Sequence, residues 1–405
     1  MKDEVFLLEI NKQTGKTNVF DYLVIVLAII ASATPLNSLY HTQTYLFFFA
    51  GALLYFLKQK IKTGFVIHKS KLVVLLGVLF LIFMTALVNL DADINYYLGL
   101  ATAVFGCYFI VESLGYSKFS LIYTKLFVVI TIYSILLTLL YRFAPSFLAL
   151  TDVYLPEMKV PNWKTFYYIY NVWDLYARSN MVRNSACFRE PGVWGSFVSI
   201  AIIMKISQMF KNEEKPSRKD YAELIILFVG AISSLSTSTI FCVALLYLLY
   251  LINSEHTRRK FLILFIVVFL FCVVCLLWGD ILFDKLNANS YANSSLKERI
   301  IGFSDSFNMW LNNPIFGSGY TKYFENVLEG VNTLSYIFVL GEFGTFLFVT
   351  FIYMLWNWIR IQRISKTSNV IVFLVITIIL NTQNLIFFPI IMLLMFYGTN
   401  RLKTK

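Results

Sequence analysis

The 405-residue chain has few charged residues: only 14% are Asp, Glu, Lys or Arg, whereas 58% are hydrophobic. Because an ordinary soluble domain has about a quarter charged residues, this composition excludes that class and predicts a polytopic membrane protein. Lys and Arg still exceed Asp and Glu, which gives a formal net charge of +11. In a membrane protein we attribute this excess to loops that set orientation, and not to nucleic-acid binding.

Cysteine and histidine are also scarce, with five and three residues. Most of the cysteines lie inside apolar runs, where a thiol behaves as a small hydrophobic side chain. Cys272 and Cys275 are separated by two residues, but no second pair of ligands accompanies them. The long loops also lack a group of carboxylates with metal-ligand spacing. We therefore expect neither a metal nor another cofactor.

The hydrophobic residues are grouped into runs that predict membrane-spanning helices. The N-terminal segment lacks an apolar core with a small-residue cleavage site, so we expect the first span to act as its own targeting signal. Twelve candidate spans lie at about residues 22–37, 44–57, 72–90, 96–114, 120–142, 192–210, 222–235, 237–253, 261–279, 333–356, 369–381 and 384–398.

Several candidate spans are shorter than the ~20 residues of a straight transmembrane helix. Residues 222–253 have basic loops at both ends, so this segment is expected to cross the membrane twice. Its polar tip is then residues 233–239, and by the same argument residues 381–384 are the tip of segment 369–398. Polar backbone at membrane depth needs cover from protein or water. The tips therefore either face a water-filled cavity or form plain outer turns.

Basic residues are distributed unevenly among the loops. They cluster around residues 58–71, 211–219, 258–260, 360–366 and 401–405. The short loops on the opposite side, around residues 38–43 and 91–95, contain no Lys or Arg. Since cytoplasmic loops are enriched in Lys and Arg, we expect both termini to face the cytoplasm.

Two loops are much longer than the others. Residues 143–191 and 280–332 both fall on the outer side, and long loops in compact proteins usually have a function. Neither loop is long enough to form a sizeable core of its own. We therefore expect residues 1–405 to form a single polytopic domain.

The first long loop is rich in aromatic residues between positions 163 and 176, with the sequence WKTFYYIYNVWDLY. Aromatic side chains next to lipid are typical of the membrane–water interface. The same residues could instead form a wall on which sugar rings stack. The sequence leaves both interpretations open.

The second long loop is expected to contain an amphipathic helix. Residues 295–298, Ser-Leu-Lys-Glu, match a capping box that predicts the helix start, and residues 312–314, Asn-Asn-Pro, predict its end. The apolar stripe of this helix consists of Leu296, Ile300, Phe303, Phe307, Trp310 and Leu311. A helix with such a stripe is expected to lie on the outer membrane surface.

The segment from Arg183 to Phe197, RNSACFREPGVWGSF, places charges at the mouth of a candidate span. Pro191 suits the first position of a helix, whose N-terminus has unpaired N–H groups and a positive dipole. Arg183 and Arg189 add fixed positive charge, and Arg299 lies near the start of the surface helix. Because guanidinium groups bind phosphate oxygens through paired hydrogen bonds, these residues predict a site for a lipid phosphate or diphosphate.

A plainer interpretation is that the arginines only reach toward lipid headgroups, and that Glu190 caps the helix or pairs with Arg189. Arginine, aromatic and glycine residues occur in, or directly beside, both long outer loops. This combination favours a binding site for a lipid phosphate or diphosphate over the plainer interpretation.

These residues resemble a known family signature. Positions 183–192 follow the pattern R-x-x-[small]-x-F-x-E-P-G, which resembles that of O-antigen polymerases of the Wzy type and of the related O-antigen ligases. Further similarity lies in Arg299-x3-Phe303, in residues 313–320, and in Asn332 followed by residues 341–345. The resemblance implies an all-α, GT-C-like integral membrane protein. It would have about twelve transmembrane helices and two large periplasmic loops that contain amphipathic helices.

The resemblance implies a glycosyltransferase that joins undecaprenyl-diphosphate-linked oligosaccharide repeat units into a surface polysaccharide such as O-antigen, a part of lipopolysaccharide. The reaction would occur at the periplasmic face of the bacterial inner membrane. Its partners would be lipid-linked oligosaccharides, membrane lipid and a chain-length regulator protein, and not nucleic acid. The candidate catalytic residues are Arg183, Glu190 and Arg299, with Glu190 as the nearest candidate base. The candidate substrate-binding residues are Arg189, Pro191, Gly192, Tyr320 and Asn332.

The sequence also departs from the family pattern. Ala186 stands where many relatives have glycine, and the tip at residues 233–239 lacks an arginine that some relatives have. The ligases have a histidine just before the Gly-x-x-Gly helix, where this chain has residues 330–332, Gly-Val-Asn. None of the three histidines, His41, His68 and His256, is near that position, which favours a polymerase.

Three other functions remain as alternatives. An O-antigen ligase would transfer finished polymer to another acceptor. A transporter or flippase of lipid-linked oligosaccharides would need access from both faces and usually has internal repeats, which the two halves of this chain do not show. An assembly scaffold without chemistry would have no reason to place three arginines at one depth.

Overall fold

The computed structural model of the protein describes residues 17–64, 67–154, 163–173, 183–211, 216–254, 292–326, 334–362 and 364–399, with only the backbone described at 173, 211 and 292–299. These residues fold mainly into α-helices. Numbered along the chain, the helices are α1 Val19–Ile30, α2 Pro35–Leu39, α3 His41–Thr63, α4 Lys69–Val88, α5 Ile94–Ser113, α6 Tyr116–Phe143, α7 Pro191–Lys211, α8 Arg218–Ser233, α9 Thr237–Asn253, α10 Ala292–Asn312, α11 Tyr320–Asn326, α12 Ser335–Ile361, α13 Lys366–Leu380 and α14 Pro389–Gly398. The strands are β1 Thr151–Val153, β2 Trp163–Phe166 and β3 Tyr170–Trp173.

Within these ranges, five helices are long and apolar enough to cross a membrane: α4, α5, α6, α12 and residues 191–210 of α7. This finding agrees with the predicted all-α membrane protein. Eleven of the twelve candidate spans overlap at least one helix, and the twelfth, at residues 261–279, lies outside the described residues. The number of spans and the orientation in the membrane stay predictions.

Two candidate spans are not continuous helices. Segment 22–37 is interrupted at residues 31–34 before Pro35 begins α2, and α14 begins only at Pro389. Proline has no N–H for a preceding helical turn, so a helix readily begins at this residue. The two interruptions lie side by side, because the backbone N–H of Ile390 donates to Ser32 Oγ over 3.1 Å.

Helix α7 lies at the centre of the bundle. Nearly all of its residues between 191 and 210 are buried, and it packs against α6, α8, α9 and α13. A helix that is apolar on all sides is stable only when other helices surround it. Its first residues therefore lie against protein, and this position determines the surroundings of the segment that precedes α7.

Ion pairs connect the helices at one end of the bundle. Lys205, near the end of α7, contacts Asp220 and Glu223 of α8 at 2.8 and 2.5 Å. At the same end, Lys118 of α6 contacts Asp21 of α1 at 2.7 Å. We call the opposite end, where α7 begins, the outer end, in keeping with the predicted orientation.

The described part of the first long loop contains a small antiparallel sheet where an amphipathic helix was expected. The strands are ordered β1-β2-β3. Tyr167 and Tyr168 have left-handed φ angles of 49° and 58° in the turn between β2 and β3. Tyr170 and Val172 pack with Leu148 into an apolar core. Residues 163–173 are rich in aromatic and β-branched side chains, which favour strands, so the sequence did contain a strand signal.

The aromatic residues of this sheet differ in exposure. Trp163 and Tyr170 are buried, and Tyr167 at the tip of the hairpin is 80% exposed. Whether the exposed rings stack on sugars stays a prediction. Residues 174–176 of that stretch lie outside the described residues.

Helix α10 ends at Asn312, as predicted, but begins at Ala292, three residues before the predicted start. Its exposed apolar residues are Ile300, Phe303, Phe307 and Leu311. On the other side, Ser306 is buried against Gly341 of α12. The exposed stripe suits a helix that lies on a membrane surface, and that placement stays a prediction.

Helix α12 is broken at Gly344, which has a φ of 79°. The break leaves the carbonyl groups of the preceding residues without their usual helical donors. The N–H of Ser318 donates to Gly341 O over 2.9 Å, and that of Gly319 donates to Glu342 O over 3.1 Å. The glycine turn before α11 is therefore fixed to the break in α12.

Candidate functional site

Residues 183–192 lie at the outer end of α7 and contact three non-helical turns from other parts of the chain. These turns are residues 31–34, 234–236 and 381–388. The segment is anchored by Phe188, whose buried ring stacks on the Trp194 ring with 6.0 Å between centroids. We call residues 183–192 together with the three turns the outer polar site.

Arg183 and Asn184 attach the segment to the turn after α8. Arg183 is buried, and its Nε donates to Ser234 O over 3.1 Å. The side-chain amide of Asn184 donates to Ser134 Oγ and Ser233 Oγ at 3.0 and 2.9 Å. A buried guanidinium is costly unless it has partners, so this turn must be formed before Arg183 can be accommodated.

Ala186 has a left-handed φ of 48°. Side chains with a Cβ rarely adopt this conformation, and glycine does so without steric cost. This geometry explains why a glycine would suit the same position. The strained turn is held from the sheet, because the backbone N–H of Asn171 donates to Ala186 O over 2.8 Å.

Arg189 lies between the sheet and two of the turns. Its carbonyl accepts a hydrogen bond from Trp163 Nε1 at 2.8 Å, and its N–H donates to Ala33 O over 3.0 Å. Its guanidinium lies 5.7 Å from the ring centroid of Phe388 and forms an ion pair with Glu190, with 3.6 Å between Nε and Oε1. The partly exposed guanidinium remains accessible to a ligand.

Glu190 has a partner for each carboxylate oxygen. Oε1 pairs with Arg189, and Oε2 accepts a hydrogen bond from Gln383 Nε2 over 3.4 Å. Its backbone carbonyl accepts from Trp194 N at 3.1 Å, which is the first hydrogen bond of α7. The predicted ion pair with Arg189 is therefore present, while the predicted side-chain cap stays a prediction. These contacts suit a residue that positions its neighbours and leave less freedom for the predicted general base.

Pro191 begins α7, as predicted, and Gly192 follows where α7 meets two turns. A Cβ added to Gly192 would lie 2.7 Å from Gln383 Nε2 and 3.5 Å from Ser236 Oγ. The glycine thus allows the Gln383 side chain to approach α7 closely. The same contact brings the two polar tips predicted from the sequence, at 233–239 and 381–384, onto one helix terminus.

The polar tips are covered by protein. Ser234, Ser236, Thr239 and Gln383 are all buried. Two backbone carbonyls next to these residues, Ser233 O and Ser234 O, accept hydrogen bonds from Asn184 N and Arg183 Nε of the segment before α7. Whether the tips also face a water-filled cavity stays a prediction. The sequence signalled these tips as polar interruptions of apolar hairpins, but it did not indicate that they meet residues 183–192.

The other predicted site residues have different positions. Arg299 lies on α10, but its side chain is outside the described residues, as is the whole of Asn332. Whether Arg299 approaches Arg183 therefore stays a prediction. Tyr320 begins α11 and lies in a second polar cluster at the outer end, with residues 89–93.

Asp91 is the centre of this second cluster, which the sequence did not indicate. It accepts hydrogen bonds from Thr321 N at 3.1 Å, from Thr321 Oγ1 at 2.5 Å and from Tyr97 Oη at 2.8 Å. Burial acts to raise the pKa of Asp91, but the hydrogen bonds from Thr321 and Tyr97 outweigh it and hold the pKa below its usual value. The ionised carboxylate thereby fixes α11 to the loop before α5.

In the part of the chain that the structure describes, no group of three or more His, Cys, Asp or Glu side chains could hold a metal ion. The outer polar site instead combines guanidinium, amide and hydroxyl groups with the N-terminus of a buried helix. Such donors suit an anionic group with several oxygen atoms. The fold and this site together define a multi-pass membrane protein with a polar site at one end of its helical bundle.

Similarity to known proteins narrows this class of membrane protein further. A family model described as O-Antigen ligase matches residues 222–336, which include most of α8, all of α9 to α11, Arg299 and Tyr320. No curated protein matches the chain. The family match indicates a membrane enzyme that processes lipid-linked glycans by glycosyl transfer, and it does not separate a polymerase from a ligase.

Proposed function

We propose that the protein is a polymerase that joins undecaprenyl-diphosphate-linked oligosaccharide repeat units into a surface polysaccharide at the periplasmic face of the inner membrane. The observation that carries this proposal is the Arg183–Gly192 segment. It combines two arginines with the N-terminus of the buried helix α7, inside a chain that matches the O-antigen ligase family model. Membrane lipid and a chain-length regulator protein are the proposed further partners.

In the proposed reaction, a hydroxyl oxygen of the acceptor sugar attacks the anomeric carbon of the donor chain. The new C–O bond forms as the bond between that carbon and the diphosphate oxygen breaks, and the diphosphate leaves with the electron pair. The hydroxyl proton passes to a base. Negative charge therefore develops on the leaving oxygen, and preorganised cationic donors stabilise that transition state.

Arg189 and Arg183 are assigned different parts of this task. Arg189 is partly exposed and is the proposed direct contact of the diphosphate, with α7 supplying backbone N–H groups at its start. Arg183 is buried against the turn at Ser234 and adds positive charge behind that contact. Arg299 is proposed to reach the same diphosphate from the second long loop.

The absence of a ligase-type histidine at residues 330–332 supports a polymerase over a ligase. Among the described residues, His41 is the histidine whose pKa is affected by Arg189 of the outer polar site. Its ring lies 4.3 Å from the Tyr45 ring, and burial together with the charge of Arg189 lowers its pKa. It belongs to the first helical hairpin and not to the second long loop, so it does not correspond to the ligase histidine.

The test is the identity of the acceptor. Purified protein in lipid nanodiscs is incubated with lipid-linked repeat units alone, and the products are analysed by mass spectrometry. A polymerase produces lipid diphosphates that carry two or more repeat units. Transfer only after a different acceptor lipid is added would identify a ligase, and movement of unmodified substrate across a liposome membrane would identify a transporter.

A further inference from the structure

A recess lies at the outer end of the bundle, next to the Asp91 cluster. It is an open groove of about 520 Å³, lined by Ala92, Asp93, Tyr320, Thr321, Phe324 and Glu325. None of these residues belongs to the outer polar site. The groove is formed where α11 lies against the loop between α4 and α5.

The aromatic wall of this groove is fixed in place. The Tyr320 ring stacks on the Tyr96 ring with 3.9 Å between centroids, and Phe324 lies 4.5 Å from Tyr320. The N–H of Tyr320 also donates to Tyr97 Oη over 2.9 Å. Aromatic rings held by packing behind them offer a rigid apolar face at low entropic cost.

The polar groups of the groove are acidic. Asp93 and Glu325 line it, and the ionised Asp91 lies beneath it. Lys322 is on the same short helix but does not line the groove. Carboxylates accept hydrogen bonds from hydroxyl and amino groups and repel phosphate. The groove therefore favours a polyhydroxyl or amino-containing ligand and disfavours a diphosphate.

The groove and the outer polar site are connected through Phe343 of α12. The Phe343 ring lies 6.3 Å from the Tyr97 ring on the groove side and 5.0 Å from the Phe387 ring on the other. Phe387 precedes Phe388, whose ring lies 5.7 Å from the guanidinium of Arg189. These packed residues connect the acidic, aromatic groove to the cationic outer polar site at the same end of the bundle.

We propose that this groove binds the sugar chain of the acceptor, with a sugar ring stacked on Tyr320 and Phe324 and its hydroxyl or amino groups bonded to Asp93 and Glu325. This proposal rests on the proposed glycosyl transfer. The division of charge separates the two parts of each substrate, because the diphosphate is attracted to the arginines and the glycan to the acidic groove. A glycan with neutral or amino sugars fits this groove better than one with several uronic acids.

The experiment measures binding of a lipid-free probe. The repeat-unit oligosaccharide, released from the lipid-linked intermediates by mild acid, is titrated into the protein in nanodiscs by calorimetry. Phe324→Ala removes a ring that is 41% exposed, and Glu325→Gln removes only charge from an exposed side chain. Phe147→Ala, which removes a 79% exposed ring outside the groove, is the matched control.

We expect the Kd of the oligosaccharide to rise about tenfold in Phe324→Ala, near the upper limit for one aromatic contact. Glu325→Gln should raise the Kd several-fold, while Phe147→Ala should leave it unchanged. In the lengthening assay, the two groove variants should raise the KM for acceptor and leave kcat almost unchanged. If Phe324→Ala fails to fold, the exposed Glu325→Gln still gives the answer.

An unchanged Kd and KM in both groove variants would overturn the groove assignment, as would absence of oligosaccharide binding by the wild-type protein. Neither outcome bears on the polymerase itself, which is judged by whether the wild type lengthens lipid-linked repeat units. Conversely, oligosaccharide binding that depends on Phe324, in a protein that forms no longer chains, would retain the sugar site and remove the proposed reaction.

Discussion

The side-chain amide of Gln383 donates a hydrogen bond to the carboxylate of Glu190 over 3.4 Å, although the two residues are 193 positions apart in the chain. This contact connects the turn between α13 and α14 to the start of α7. Gly192 leaves room for this geometry, since a Cβ there would lie 2.7 Å from the same amide nitrogen and would displace the Gln383 side chain.

Gly192→Ala should displace the Gln383 side chain and lower both glycosyl-transfer activity and stability, the latter by about 1–3 kcal/mol. In a Gln383→Ala background the added methyl group finds space, so the same exchange should cost less than about 1 kcal/mol. Thermal unfolding and activity of the two single variants and the double variant measure this coupling. Gly77→Ala in α4 is the control, because a Cβ at Gly77 meets nothing within 4 Å. Equal effects in both backgrounds would show that the Gln383 contact does not matter.

Glu190→Gln separates a positioning role from general-base catalysis. Both carboxylate oxygens of Glu190 have partners, so we expect positioning of Arg189 and Gln383 to dominate. The exchange should then lower kcat by about tenfold, less than the 10²–10⁴-fold typical of a lost general base. The pH dependence of kcat is measured from about pH 5 to about pH 9, and in the variant it should keep the shape that it has in the wild type. Loss of its acidic limb would instead identify Glu190 as the base.

Asp91→Asn should weaken the attachment of α11 to the loop before α5 by about 1–3 kcal/mol at pH 7, since hydrogen bonds to a charged acceptor are lost. The folded pKa of Asp91 lies below its ordinary value. Its contribution to stability is therefore fully present above the unfolded pKa and disappears as the pH falls through the folded pKa. The difference in Tm between wild type and variant should accordingly vanish in acid. Asp152→Asn, at an exposed position in β1, should give no difference at either pH.

Local signals in the sequence predicted much of the helical framework. Apolar runs located most of the longer described helices, Pro191 marked the start of α7, and the stop at Asn312 marked the end of α10. The short helix α11 was not predicted. The start of α10 was placed too late, because the capping box at Ser295 lies inside the helix. The proline interruptions at Pro35 and Pro389 were visible in the sequence but were assigned to continuous spans.

The parts that could not be predicted depend on contacts between distant residues. No pattern near Gly192 indicates Gln383, and none near Tyr320 indicates Asp91. The break at Gly344 also depends on a contact with a distant part of the chain. A glycine inside an apolar helix signals either close packing or a kink, and the local sequence does not decide between the two. The glycine turn at residues 313–319, which stabilises the broken geometry, comes from another part of the chain.

Arg183 provides the sharpest test of the site. Its Nε is bound to Ser234 O, and the account assigns its charge to the developing charge on the leaving diphosphate. Arg183→Ala should lower kcat for chain lengthening by about 10²–10³-fold, as when an electrostatic donor is removed from a transition state. Arg183→Lys should also impair the reaction, because an ammonium cannot reproduce the planar fork of a guanidinium. Arg218→Ala, at the exposed start of α8 on the opposite end of the bundle, is the control.

The most direct measurement is the rate at which the reconstituted wild-type, Arg183→Ala and Arg218→Ala proteins add repeat units to a lipid-linked acceptor at saturating substrate. Gel filtration and Tm confirm that each protein is folded. We expect rapid lengthening by the wild type and Arg218→Ala, and almost none by folded Arg183→Ala. Lengthening by folded Arg183→Ala at the wild-type rate would contradict it.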